Sequence, residues 1–568
     1  MSAGGKNRFG SETLIFWGAG ATASVGIPTT EAQKKCILAL IGKREPRRTL
    51  CERIGDAKLK PLWIEPLHDL LLVLGDDIEE EDRATPEGAL RNIGLITPDA
   101  RNAMRRHWSN PDETALDARI HHLRSLFDWP ALKEAGRVCP GFDEEKDFVL
   151  QDLFNVIDIH IASGQGFCAY DGPIAHGRLV AARRALQMLL NTLFFIKWHD
   201  ALDGEWQGAE LKKHLGFARL LTKYHQETGI QRADSMRDYD SRDFYLGEVA
   251  FASLNYDPIC LWSQFIANKN ANDDYPPHIG CPAVPLKIFH DMGIFMATRR
   301  LSRKEGDECK EAVWYPMNEA VVQRLNDREY AGRRVMINKL LFPHGCVCWR
   351  ECPNCGKLSG YMGDEWTFES RTLLPPPPLR GFAEMAGLDL SESRGIPEEE
   401  SRMHALGAVD ARACVHCGTM TFAEHTQATM QSNFKSAPPS FLEEIKRDLR
   451  VATQAADHIV LMGYSLPSDD VEYRAFFAAR RNHSGGTPPR CSVIVGTKYG
   501  DRWHSPEEIE NLLNANQGHG DAPFSTLKAA RAIFGNENVR FYGGGIPQVF
   551  CDGDTPSVER VRKLLAWE

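Results

Sequence analysis

Thr13-Leu14-Ile15-Phe16-Trp17-Gly18-Ala19-Gly20 is the stretch on which the fold turns. Five apolar residues of strand length stop abruptly at a Gly-Ala-Gly turn. Pro28, Thr29 and Thr30 then supply helix-initiation signals, so a helix is expected from about Thr29. Strand, glycine turn and helix together open a nucleotide-binding α/β unit. Gly18-x-Gly20-x-x-Ala23 fits the loose G-x-G-x-x-G/A template, whose glycines let the backbone approach a pyrophosphate at a helix N-terminus. The same glycines also suit a plain strand-to-helix turn, and Glu31 comes too early for the usual acidic ribose contact.

Outward from this turn the pattern changes. From 31 to 245, apolar residues recur at helical spacing in Leu62–Leu74, Phe148–Ile161 and Leu179–Trp198, with few β-rich runs between them. Charged or Pro-bearing gaps at Asp76–Arg83 and Asn110–Glu113 separate the helices. Strand candidates return at Glu248–Leu254, Val335–Phe342, Ile459–Met462, Cys491–Val495 and Val539–Tyr542, and helices such as Ser440–Ala455 alternate with the later ones. That alternation predicts a parallel sheet. The expected fold class is therefore α/β, with a Rossmann-like parallel sheet carrying two insertions. Residues 1–30 hold the first strand and glycine loop, and 31–245 a mainly helical insertion. The core resumes over 246–345, a cysteine-bearing insertion follows over 346–420, and 421–568 supply the last strands and helices. Pro375–Pro378 form a polyproline spacer inside the cysteine segment, unable to join a sheet interior.

Composition narrows the class. A chain of 568 residues, 43% apolar and 25% charged, is ordinary globular protein, of three to four units at roughly 150 residues per domain. Its 77 acids against 67 bases leave a net charge of −10, which argues against a general nucleic-acid coat. Glu79–Asp82 reads as a solvated acidic loop. Arg299-Arg300 with Arg303-Lys304 reads as solvated surface first, and as a contact for nucleic acid or an acidic partner second. Ala185–Ile196, the most apolar helix-like stretch, is about twelve residues long and too short to span a bilayer. Leu186, Leu189, Leu190 and Phe194 form a stripe at helical spacing that packs within the helical part or, alternatively, in an oligomer interface. The opening MSAGGKNRFG lacks the apolar core of a signal peptide, and fifteen cysteines, an odd number, point to a reducing compartment. A soluble, cytoplasmic protein is expected.

Cys352-Pro-Asn-Cys355-Gly356 and Cys414-Val-His-Cys417-Gly418 are two knuckles of one type. Each Gly permits the turn that lets neighbouring amides bond to thiolate sulfur. Four thiolates suit a closed, structural zinc site with no open position for catalysis. The 58 residues between Cys355 and Cys414 exceed the usual ribbon loop. A redox dithiol and two independent pairs are the alternatives, and Cys346, Cys348 and His416 lie close enough in sequence to replace a ligand.

The longer run Gly18-Ala-Gly-Ala-Thr-Ala-Ser-Val-Gly-Ile-Pro28 resembles the NAD-binding loop of the sirtuins, a Gly-Ala-Gly-x-Ser start followed by Gly-Ile-Pro. Leu254-Asn255-Tyr256-Asp257 resembles the Thr-Asn-Tyr-Asp of bacterial sirtuin-like proteins and the Gln-Asn-Ile-Asp of deacylating sirtuins. His344-Gly345 resembles the sirtuin His-Gly. Gly463-Tyr464-Ser465-Leu466-Pro467 resembles the Gly-Thr-Ser-Leu loop, with Pro467 and Asp470 closer to the sirtuin-like variant. Sirtuins also place a zinc ribbon at this point of the chain. The motifs are short, but they come in the family's order and bracket nearly the whole sequence.

The resemblance implies a sirtuin-like core that weakens the nicotinamide–ribose bond through an oxocarbenium-like state. Asn255 would hold a water against C1′ and His344 would act as general base. Asp257 would hold the carboxamide. Ala19, Gly20, Thr22 and Ser24 would cradle the diphosphate and adjacent ribose, with Gly463, Ser465 and Asp470 facing the nucleotide from the other side. Read without the family, Asn255 and Asp257 are also turn formers, His344 a satisfied loop histidine and Asp470 a helix cap. Two departures bear on activity. Thr29-Thr30 stand where deacylases have the Asp-Phe-Arg of their active loop, and the gap from Gly20 to Asn255 is far longer. Both are shared with the bacterial sirtuin-like NADases of anti-phage defence. The implied activity is therefore NAD+ hydrolysis to nicotinamide and ADP-ribose, with NAD as substrate and zinc as structural metal. An enzyme that empties the NAD pool implies control by homo-oligomerisation or by a partner such as a HerA-like ATPase. No membrane and no nucleic acid is directly indicated. The competing expectations are an NAD-dependent deacylase or ADP-ribosyltransferase, and a non-catalytic sensor that binds NAD or ADP-ribose.

Overall fold

The computed structural model describes residues 12–42, 46–57, 59–75, 96–142, 147–170, 172–203, 205–235, 247–274, 286–300, 311–314, 334–362, 374, 376–385, 397–428, 440–468, 470–483, 488–516 and 522–567. The gap Asp76–Arg83 with its acidic run, Arg303, Lys304 and Pro375 lie outside them.

β1 (Thr13–Trp17) is buried along its whole length. The other strands of its sheet are β2 (Val249–Ser253), β3 (Leu286–Asp291), β4 (Arg334–Leu341), β5 (His458–Met462), β6 (Arg490–Ile494), β7 (Trp503–His504) and β8 (Val539–Tyr542). In space they run β7-β8-β6-β5-β1-β2-β4-β3. Every pair is parallel except β7–β8. Parallel neighbours need crossovers; between β3 and β4 the described elements of the crossover are the strands Met296–Arg300 and Glu311–Trp314, and the other crossovers contain helices. They are α1 (Thr30–Gly42), α2 (His176–Asp203), α3 (Glu205–Ser235), α4 (Ile259–Asp274), α5 (Ser440–Ala455), α6 (Val471–His483) and α7 (Ala522–Phe534). The result is an α/β fold around a mostly parallel sheet, as the alternating pattern predicts.

Successive side chains of β1 point to opposite faces of the sheet, and both faces are covered. Phe16 meets the Phe477 ring of α6 at 4.8 Å between centroids, while Trp17 stacks on Phe217 of α3. This two-sided burial explains why the strand is a continuous apolar run. β3 escapes that reading because Leu-Lys-Ile-Phe-His-Asp mixes Lys287, His290 and Asp291 into the strand.

Most of the described residues between α1 and β2 are helical. The expectation of a short apolar stretch there needs correction. Ala185–Ile196 is the middle of α2, whose segment His176–Leu202 spans 27 residues and contains an 18-residue window of mean hydropathy 1.3. By length and composition it is the one helix among the described residues that could cross a membrane, yet 72% of its apolar window is buried inside the protein. A helix apolar on nearly all sides is what the centre of a helical layer requires. Leu186, Leu189, Leu190 and Phe194 are all within this core.

A second, five-stranded sheet orders Thr426–Ala428, Gly345–Glu351, Leu358–Met362, Met296–Arg300 and Glu311–Trp314. It takes in strands that precede and follow the segment 346–420.

Candidate functional site

The chain runs from β1 outward to β2, β3 and β4 on one side, then returns to β5, β6 and β8 on the other. The carboxyl ends of β1 and β5 are therefore where strand order reverses, the usual place for a crevice in an open α/β sheet. Here the two strand-end loops touch. The Gly18 amide donates to the Met462 carbonyl and the Gly20 amide to the Gly463 carbonyl, each at 2.9 Å. A Cβ on Gly18 would stand 2.6 Å from the Gly463 oxygen, and one on Gly463, at φ +65°, would stand 2.2 Å from the Ala21 nitrogen. Backbone contact between the loops thus demands glycine at both positions before any ligand is considered.

Below this crossing lies a line of buried polar groups. Thr22 is fully buried, and its hydroxyl accepts from the Asn255 side-chain amide at 3.0 Å and donates to an Asp257 carboxylate oxygen at 3.1 Å. The other Asp257 oxygen accepts from the Ile259 amide at 3.0 Å, at the start of α4. Burial pushes the Asp257 carboxyl up to about 6, against the opposing pull of these donors.

A cleft of about 650 Å³, partly open to solvent, sits over this line. Of the residues expected at the site, Ala19, Thr22, Asn255, Asp257, Gly463 and Ser465 form its wall. Gly20, Ser24, His344 and Asp470 do not. Gly20 contributes its amide to the loop crossing, and the Ser24 hydroxyl is buried without a hydrogen-bond partner among the described residues. The Asp470 carboxylate accepts from the hydroxyl of Tyr464, a wall residue, and its carbonyl accepts from the Arg474 amide at 3.3 Å. Its contact with the cleft wall is through Tyr464. His344 is 1% exposed, its Nε2 paired at 3.1 Å with the Tyr473 hydroxyl of α6. Its ring lies 6.1 Å from that of Tyr256, which itself lines the cleft.

The four cysteines of the two knuckles come together, with all Sγ atoms within 4.8 Å of one another. Cys352 and Cys417 are 3.5 Å apart and Cys355 and Cys414 3.8 Å apart. Zinc–sulfur bonds of about 2.3 Å in a tetrahedron give edges of about 3.8 Å, so the set is compatible with structural zinc. Gly356 and Gly418 take φ of +65° and +76°, and each donates its amide to the first cysteine carbonyl of its knuckle at 2.9 Å. Cys346, Cys348 and His416 are elsewhere engaged. The two thiols lie 3.3 Å from each other, and His416 Nε2 pairs with the Leu358 carbonyl at 2.9 Å.

No family model and no curated protein matches this chain. Thr30, Gln33, Phe194, Tyr256, Tyr464 and Pro467 are among the other residues of the cleft wall. Gln33 had a local signal, since it lies one turn into the helix after the glycine loop and donates to the Pro28 carbonyl at 2.9 Å. Phe194 had none. It reaches the site from the inserted helix, and only the tertiary fold brings it there.

Proposed function

We propose that this protein is an NAD+ glycohydrolase with a Rossmann-like, sirtuin-like core, cleaving NAD+ to nicotinamide and ADP-ribose. One observation carries the reading. Asn255, Thr22 and Asp257 are hydrogen-bonded in a row on the wall of a cleft at the sheet's switch point, beneath two glycine loops. The glycine loop would take the diphosphate with its backbone amides. Asp257 would accept from the nicotinamide carboxamide, and Asn255 would hold the attacking water at C1′. His344 would take the water's proton as the C–O bond forms and nicotinamide leaves with the electrons of the broken C–N bond. The four cysteines would hold zinc to stabilise the second sheet, away from the chemistry. A defence role as an NAD-depleting effector in the cytoplasm, with a homo-oligomer or a HerA-like ATPase as its control, follows from the motif resemblance.

A second reading has an observation of its own. His344 is not on the cleft wall and its ring packs against Tyr256, as a sensor that binds NAD or ADP-ribose without hydrolysis would allow. Incubation with NAD+ separates the two. Release of nicotinamide without any acyl substrate, lost in Asn255→Ala and His344→Ala, supports the hydrolase. Binding without release supports the sensor, and absence of both refutes the nucleotide site.

A further inference from the structure

The diphosphate of a dinucleotide is an anion, yet among the described residues the cleft wall holds no lysine, arginine or histidine, and Asp257 adds a carboxyl. A group able to become a cation touches the glycine loop through its backbone. His214 of α3 is 1% exposed, and its Nε2 stands 2.8 Å from the carbonyl of Ala21, the residue before Thr22. Its Nδ1 stands 3.0 Å from the Glu210 carbonyl, one turn back in the same helix. Carbonyl oxygens only accept, and a neutral imidazole carries a single N–H. One of the two contacts therefore lacks its proton in the neutral ring, and only the imidazolium satisfies both. Burial opposes that charge and holds the imidazole's pKa below the ordinary histidine value, while the two carbonyls pull it up. The charged groups acting on the ring are Glu210 and Lys213 of α3, and Lys213 pairs with Glu210 and with Asp554 of the C-terminal hairpin. Trp17 and Phe550 pack edge-to-face with the ring at 5.7 and 5.8 Å and bring no charge. Nor does the turn Ala23–Val25, which also packs on α3.

We infer that His214 is a positioning residue for the diphosphate, holding the glycine loop by the Ala21 carbonyl and taking up a proton from solvent when the dinucleotide binds. The inference rests on the reading of the cleft as the NAD+ site. An anion held by the loop lowers the energy of a positive charge on the far side of the same peptide. The complex thus favours the imidazolium that the empty protein disfavours, and the ring gains its second hydrogen bond with the proton. Because His214 then holds that proton more tightly in the complex than in the free protein, binding strengthens as pH falls and weakens as pH rises.

The test titrates ADP-ribose, which the proposed reaction does not consume, into the full chain by calorimetry. Titrations run from about pH 6 to about pH 8, where histidine changes charge and the ligand's diphosphate does not, in buffers of different ionisation enthalpy. Wild type is compared with His214→Gln, which puts an amide N–H where Nε2 stands, and with His214→Phe, which keeps only a ring. Wild type should take up a proton on binding, with a Kd that rises by up to about tenfold per pH unit. His214→Gln should bind without that uptake, weaker than wild type at the acid end and equal to it at the alkaline end. His214→Phe should be weaker at both ends, because it also releases Ala21. Melting curves establish folding, and either folded variant reads the proton. Equal weakening of the variants at every pH marks a histidine that only packs and overturns the inference. So does an uptake that persists in both variants, since the proton then lies on another group such as Asp257. Wild type that binds neither ADP-ribose nor NAD+ refutes the nucleotide site itself, and the inference with it.

Discussion

The Thr22 hydroxyl donates to the Asp257 carboxylate across 3.1 Å and 235 positions of sequence. Because the same hydroxyl accepts from Asn255, one buried oxygen fixes two polar side chains that enter from the end of a different strand. Such locking sets the orientation of both groups before a ligand arrives, the condition under which polar groups contribute most to binding and catalysis.

Thr22→Val tests that arrangement. The shape is kept, but Asn255 Nδ2 and one Asp257 oxygen lose their partner in a buried place, which costs about 1–3 kcal/mol. The urea midpoint falls accordingly. Nicotinamide release drops by roughly tenfold or more, and Thr22→Ser restores most of it. Wild-type rates in Thr22→Val would remove the hydroxyl from the account of the site.

Asp257 also carries a pH signature. Its carboxyl is raised from 3.8 to about 6 by burial, so the folded protein holds the proton more tightly than the unfolded chain. The stability that this protonation contributes is complete below pH 3.8 and is lost as pH rises through 6, on the order of 3 kcal/mol in all. Asp257→Asn has no such proton to lose. Wild type minus variant, measured as unfolding free energy in urea at several pH values from 4 to 7, should therefore decline with pH. A flat difference over that window contradicts the assignment.

The sheet was legible because its strands are buried on both faces and read as apolar runs, β1 being the clearest case. β3 was not, since Lys287, His290 and Asp291 interrupt it. The helical spacing over Leu179–Trp198 marks most of α2, but its apolar stretch reads as only Ala185–Ile196, because the charged residues beyond it hide how much of the helix the three-dimensional core encloses. At the site, residues adjoining the glycine turn or a strand end were readable from local pattern. Thr22 lines the cleft, and what no local pattern carries is that its hydroxyl also bonds to Asn255 and Asp257. The contact of His344 with Tyr256, away from the cleft wall, depends on side-chain packing that no spacing encodes.

Gly463→Ala separates the loop crossing from the chemistry. At φ +65°, with the new Cβ 2.2 Å from the Ala21 nitrogen, the residue must shift, and the left-handed backbone alone costs roughly 1–2 kcal/mol. The variant should melt lower than wild type and gain less stability from added NAD+, because the two loops that form the cleft's rim move apart. Equal melting temperatures with and without NAD+ in both proteins would show that the crossing neither supports the fold nor meets the nucleotide.

The cysteine cluster makes a claim that is independent of the cleft. Four sulfurs with edges of 3.5 and 3.8 Å match a tetrahedral zinc shell, and the buried Ser359 hydroxyl donates to Cys414 at 3.6 Å from the adjacent strand. The purified protein should hold about one zinc per chain by mass spectrometry of metals. Cys355→Ser with Cys417→Ser should abolish it. The double variant, or wild type stripped by a chelator, should lose protection from amide exchange in Gly345–Glu351 and Leu358–Met362 while β1 and β5 stay protected. Those two pairs of strands belong to different sheets, so exchange mapping reads metal loss in one without unfolding the other. A chain that binds no zinc, and whose exchange is unchanged by the double substitution, would leave the cluster as four thiols packed together for some other reason.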